Sequence, residues 1–164
     1  MNCHYQRREV LYRGGVVRFF IPTHWREEYE QDGGGIFYEP GESTGTLRLT
    51  VLSFLVKENA PLSYPLEIIK KRIVERLGEI EELPDSRFLL KYSISAKEDG
   101  EDLIIKYWEV ARMVSPRDYN IAVFSFTVGV GEMELASVAR EIALIEEEIK
   151  KVKFWIHADL YEGH

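Results

Sequence analysis

Cysteine is nearly absent: Cys3 is the only one in 164 residues. No disulfide can form within the chain, so a packed core must hold the fold, and this suits a reducing compartment. Long apolar runs are missing too. No window approaches the 18 or so consecutive apolar residues of a membrane-spanning helix. The opening MNCHYQRREVLYRGG carries arginine and glutamate where a secretory signal would place its apolar stretch. A cytoplasmic protein without a membrane span is expected. Basic excess is also missing, since 21 Lys and Arg stand against 28 Asp and Glu, for a net charge of −7. Nucleic-acid-binding domains draw most of their affinity from neutralising phosphates, so nucleic acid is not an expected partner. Repeats, low-complexity runs and Pro/Ser-rich linkers are absent, and residues 1–164 are read as a single domain.

What is present is a globular balance, 45% hydrophobic and 30% charged residues. Two β-rich runs flank Gly14–Gly15, a hairpin signal. The segment GIFYEP is a short strand bounded by Gly35 and Pro40. TLRLTVLSFLV, residues 46–56, is a longer one. Its Leu47, Leu49, Val51 and Leu55 share one side, while Leu52, Phe54 and Val56 share the other, so both faces are expected to be at least partly covered. A helix is predicted after Ser63, with Leu66, Ile69, Ile73 and Leu77 at helical spacing and Gly78 as its stop. Three strands follow, joined by turns at KEDGED and SPRDYN, and they read as an antiparallel meander. Leu135, Val138, Ile142, Ile145, Ile149 and Val152 draw one apolar stripe down a final helix of about 18 residues. The pattern implies an α+β fold: a mostly antiparallel sheet flanked by helices as an α/β/α sandwich.

The motifs of common chemistries do not occur. QDGGGIFYEPGESTG, residues 31–45, holds five of the twelve glycines. A phosphate-binding loop would continue into Lys-Ser/Thr and a helix, whereas this one continues into a strand and reads as a hairpin connection. Cys3 has no positioned base, and no Gly-x-Ser-x-Gly elbow is present. His157, Asp159, Glu162 and His164 cluster in the tail, away from any rigid element, and read as solvated rather than metal-binding. No catalytic residue, metal or cofactor is therefore expected, and an enzyme is the less favoured reading.

Two candidate sites remain. Glu109 lies mid-strand among apolar residues, where a carboxylate must be ion-paired, hydrogen-bonded, exposed or lining a ligand cleft. Alternation puts it on one face with Tyr107, and Lys106, Trp108 and Arg112 on the other. Tyr107 and Glu109 are the candidate ligand cleft. Lys70, Lys71, Arg72 and Arg76 make a basic helix face that is either solvated or docks an acidic protein. With Trp155, of a residue type enriched at binding hot spots, they are the candidate partner surface. A homodimer is a further possibility.

The stretch VVRFFIPTHWREEYEQDGGGIFYEP followed by GTLRLTVLSF resembles the opening of PsbP-like domains. There a strand runs into a proline, a tryptophan follows a short turn, and a glycine-bearing hairpin leads to a strand starting Gly-x-Leu. The order helix, meander, long helix is similar as well. That family includes the PsbP subunit of photosystem II, a nuclear import factor that binds the GTPase Ran, and bacterial domains. The resemblance implies a non-enzymatic binding or adaptor domain that recruits a protein partner. It transfers no functional residue to this chain.

Overall fold

The computed structural model describes residues 6–41, 45–55, 78–115 and 118–154, together with the isolated positions Glu67, Lys71, Val74 and Glu75. Among the described residues ten strands run in chain order: β1 (Arg7–Tyr12), β2 (Val17–Pro22), β3 (Arg26–Tyr29), β4 (Gly35–Tyr38), β5 (Thr46–Leu55), β6 (Glu79–Leu83), β7 (Arg87–Glu98), β8 (Glu101–Ser115), β9 (Asp118–Gly129) and β10 (Lys153–Phe154). Helix α1 spans Ala136–Lys150 between β9 and β10. The strands form a three-stranded sheet, β1-β2-β10, and a seven-stranded sheet, β3-β4-β5-β9-β8-β7-β6. Every pairing is antiparallel. The fold is α+β and mostly antiparallel, as the sequence implies.

Turn chemistry sets the registers. Asp99 and Gly100, both at positive φ, close β7 onto β8 with Glu98 opposite Glu101. That is the two-residue turn whose twist matches the flanking strands. Arg13, Gly14 and Gly15 all take positive φ between β1 and β2. The loop at residues 30–34 joins β3 to β4 as a hairpin, closed by Glu30 N–H to the Gly34 carbonyl at 2.8 Å. The glycine stretch is therefore a strand connection.

One face of the large sheet carries Phe37, Leu47, Leu49, Leu89, Trp108, Val110, Phe124 and Phe126, all buried. Against it pack Val10, Phe19 and Ile21 of the small sheet and Val138, Ile145 and Ile149 of α1, in one cluster. Burial of a side chain of this size contributes about 1.5–3 kcal/mol. The stripe read from the sequence is the stripe that docks. Leu135, at its start, precedes the helix and is exposed.

The opposite face is covered unevenly. Leu90, Glu109, Ala111, Tyr119 and Ile121 are buried there, but Arg48, Thr50 and Leu52 of β5 are exposed. Of the three residues expected to be partly covered on that side of β5, Leu52 is the one whose burial is described, and it is 36% exposed; Phe54 and Val56 lie outside the described burial. The flanking-helix sandwich reduces, among the described residues, to α1 and a small sheet on one face. The helix expected over residues 63–77 lies outside the described residues except for Glu67, Lys71, Val74 and Glu75, which are helical. Three strands were not expected: β3, β6 and β10. EIEEL in β6 is an acidic run, but an edge strand pairs on one side only and tolerates charge, which guards it against further pairing.

Two contacts define the ends of α1. The last carbonyls of a helix have no internal donor. Here the buried Arg87 supplies donors, its Nη1 reaching the carbonyls of Lys150 at 3.1 Å and Val152 at 2.8 Å, while its Nε donates to Pro84 at 3.0 Å. Toward the other end, Glu141 buries an Oε1 that accepts no hydrogen bond. Burial, and then the charge of Glu39, push its carboxyl up to about 7. Glu39 itself meets His24 at 3.2 Å.

Arg87→Ala should lower the urea unfolding free energy by about 2–4 kcal/mol, because it strands buried carbonyls as well as removing charge-assisted bonds. Glu141 has a pH signature. Its folded pKa lies above the ordinary 4.5, so the folded state takes up a proton between 4.5 and about 7. The resulting stability is full below 4.5 and is lost as pH rises through 7. Glu141→Gln should therefore gain on the native protein by about 1–2 kcal/mol between pH 5 and pH 8 in denaturant titrations. An unchanged difference at the two pH values would show that Glu141 titrates normally.

Candidate functional site

Strands β7 and β8 place the titratable residues on two faces. Register partners share a face in an antiparallel pair, and Lys91 opposes Trp108 while Tyr92 opposes Tyr107. Lys91 and Trp108 face α1. The Lys91 ammonium lies 3.0 Å from Glu146 Oε1, and the Trp108 indole N–H donates to the same oxygen at 3.2 Å.

These contacts lock both charges. The hydrogen bond to Glu146 raises the Lys91 pKa against the opposing effect of burial, with Glu146, Glu81 and Glu79 adding charge. Burial pushes Glu146 up, but bonds from Lys91 and Trp108 and the charges of Lys91 and Lys150 outweigh it, and the carboxyl titrates below its usual range. Both groups are thus driven away from neutrality, the reverse of what proton transfer at pH 7 requires.

Beside this pair opens a cleft of about 400 Å³. Glu79, Lys91, Ser93, Lys106, Trp108 and Glu146 line it, with Tyr92 and Tyr107 completing its wall. Ser93 is the register partner of Lys106.

Glu109 is 2% exposed and does not line this cleft. On the face away from α1, the Tyr92 hydroxyl donates to Glu109 Oε2 at 2.6 Å. The Tyr92 ring stacks on Tyr107, centroids 4.9 Å apart and planes 11° from parallel. Tyr107 and Glu109 are thus brought together through Tyr92, a residue that no pattern in the sequence singles out. Nor does any sequence pattern gather Lys91, Glu79 and Glu146 into a site with Lys106. Alternation does place Lys106 with Trp108, but nothing in the sequence says which face α1 covers.

The expected partner surface is described at one position. Lys71 is exposed and lies 3.9 Å from Glu75, one helical turn on. Lys70, Arg72, Arg76 and Trp155 lie outside the described residues, as do Cys3 and the tail histidines. Among the described residues, no group of three His, Cys, Asp or Glu side chains could hold a metal ion, and no helix is long and apolar enough to cross a membrane.

A different surface is fully described. The outer face of the small sheet exposes Leu11 (52%) and Phe20 (39%). Leu11 is the register partner of Arg18, and Arg18 of Lys153. Neither Arg18 nor Lys153 enters an ion pair among the described residues. Arg7 lies 5.2 Å over the Phe20 ring and pairs with Glu148 of α1 at 2.5 Å, and Glu9 sits opposite Phe20.

No family model matches the chain, that of the PsbP-like domains included. No curated protein sequence matches it either. Solved bacterial structures do. A protein of Bacteroides thetaiotaomicron superposes with a TM-score of 0.65 at 18% identity, over 93% of this chain and 50% of that one. LpqN of Mycobacterium tuberculosis, a protein involved in cell envelope biogenesis, superposes with a TM-score of 0.53 at 15% identity, over 84% of this chain and 87% of its own. This chain thus spans half the length of the Bacteroides protein. At such identities what is shared is the fold.

Proposed function

We propose that the protein is a non-enzymatic binding domain that recruits a protein partner, and that the outer face of the β1-β2-β10 sheet docks an acidic segment of that partner. The observation that carries this reading is the Arg18–Lys153 pair. Like charges directly opposite across a sheet repel, and these two have no counter-ion among the described residues. An anionic partner turns that cost into attraction. Exposed Leu11 and Phe20 on the same face supply apolar area, and Arg7 and Glu9 border it. The locked charges of Lys91 and Glu146 favour binding over acid–base catalysis, and the resemblance to PsbP-like domains points the same way. We take residues 1–164 to act as one unit in the cytoplasm, a view that rests on the core cluster shared by the small sheet, the large sheet and α1 and on the lone Cys3.

Native protein coupled to a resin should retain a partner from cells of its own source at low salt and release it as salt rises, since exposed charges are screened. Arg18→Glu with Lys153→Glu should lose that partner while keeping the native melting temperature. Leu11→Ser should weaken retention without changing its salt dependence. Equal recovery by native and charge-reversed protein would refute this face as the docking surface.

A further inference from the structure

We propose that the cleft beside α1 binds a small dipolar molecule whose ammonium and carboxylate stand about as far apart as those of a dipeptide. This is independent of the partner-docking face, which lies on the other sheet.

Four charged side chains line the cleft. Lys91 and Glu146 satisfy each other, with Trp108 holding the same carboxylate oxygen. Lys106 and Glu79 remain, and neither enters an ion pair among the described residues; Glu79 is felt at Lys91 only through its charge. The cleft therefore offers one spare cation and one spare anion. A ligand of single charge would satisfy one and sit against the other, whereas a dipolar ligand answers both.

The register gives the spacing. Glu79 on β6 opposes Lys91 on β7, which opposes Trp108 on β8, and Lys106 lies two residues along from Trp108. Neighbouring strands about 4.8 Å apart and a rise of about 3.4 Å per residue put the Glu79 and Lys106 Cα atoms about 12 Å apart. Strand side chains stand roughly perpendicular to the sheet, so the two charged ends are held about as far apart as their Cα atoms, a span wider than one α-amino acid bridges. Ser93, paired with Lys106, adds a hydroxyl beside the carboxylate end. The volume of about 400 Å³ falls in the range of small-molecule sites, about 300–1,000 Å³.

The test is an NMR titration of the full chain, following the Trp108 indole N–H, which Trp108→Phe identifies. The probes are glycylglycine, its N-acetyl form and its C-terminal amide. Glycylglycine should give a saturable shift, and each capped form should bind about tenfold more weakly or worse, a loss of about 1.4 kcal/mol. Lys106→Gln should erase the discrimination against the amide, and Glu79→Gln the discrimination against the acetyl form, with the remaining resonances in place. Three equal titrations, or no saturable shift with glycylglycine, would overturn the proposal. So would discrimination that survives in both variants. The capped probes need no variant, so the test stands even if one substitution disturbs folding.

Discussion

Phe19 meets Phe37 and Phe124 edge to face, each at 5.2 Å between ring centroids. Through that contact the small sheet is seated on the large one, and the rest of the architecture follows from it. A hairpin of two six-residue strands is marginal by itself in water. Laid across the aromatic face of β4 and β9, it buries Val10, Tyr12, Val17, Phe19 and Ile21. Helix α1 then has one remaining strip of that face to cover, and its stripe of Val138, Ile145 and Ile149 covers it. The chain next leaves the helix into β10, which closes the small sheet against β2. The first and last described strands of the protein thus belong to one sheet.

Charge does for α1 what apolar contact does not. Near its C-terminal end three ion pairs hold the helix: Glu148 with Arg7, Glu146 with Lys91 and Lys150 with Glu81. They tie it to both sheets at once. Arg87 adds bonds to the carbonyls just where the helix stops. Among the described residues the N-terminal half has no such set, and its Glu141 faces the like charge of Glu39. The helix is therefore anchored asymmetrically. The cleft opens beside the anchored part, which suits a site whose geometry must not drift.

Much of the fold was legible because its strongest signals are local. The stripe of α1 needs only its own fifteen residues. The Asp99–Gly100 turn specifies a register on its own. Edge strands were less legible. REEY in β3 and EIEEL in β6 carry charge that an edge accepts and a central strand does not, so their composition resembles loop. The site was half legible for a related reason. Alternation separates Tyr107 and Glu109 from Lys106 and Trp108 with no knowledge of the fold. Which face meets α1 depends on pairs distant in sequence, such as Lys91 with Glu146, and no pattern within β8 reports them. Glu109 stands out in the sequence as a carboxylate among apolar residues, and its hydrogen bond from Tyr92 is how the fold accommodates it.

The glycine-rich stretch between β3 and β5 ends at Gly45, which lies flat against the Phe126 ring. A Cβ there would stand 2.0 Å from the ring. At Gly14 and Gly41 a Cβ would meet nothing, although both take positive φ. Gly14 and Gly41 thus serve backbone shape, whereas Gly45 leaves room for a neighbour. Gly45 cannot change alone. An alanine at position 45 demands a smaller residue at position 126, and a smaller residue at 126 leaves a void unless position 45 grows. In any lineage that carries this fold, the two positions should drift as a pair.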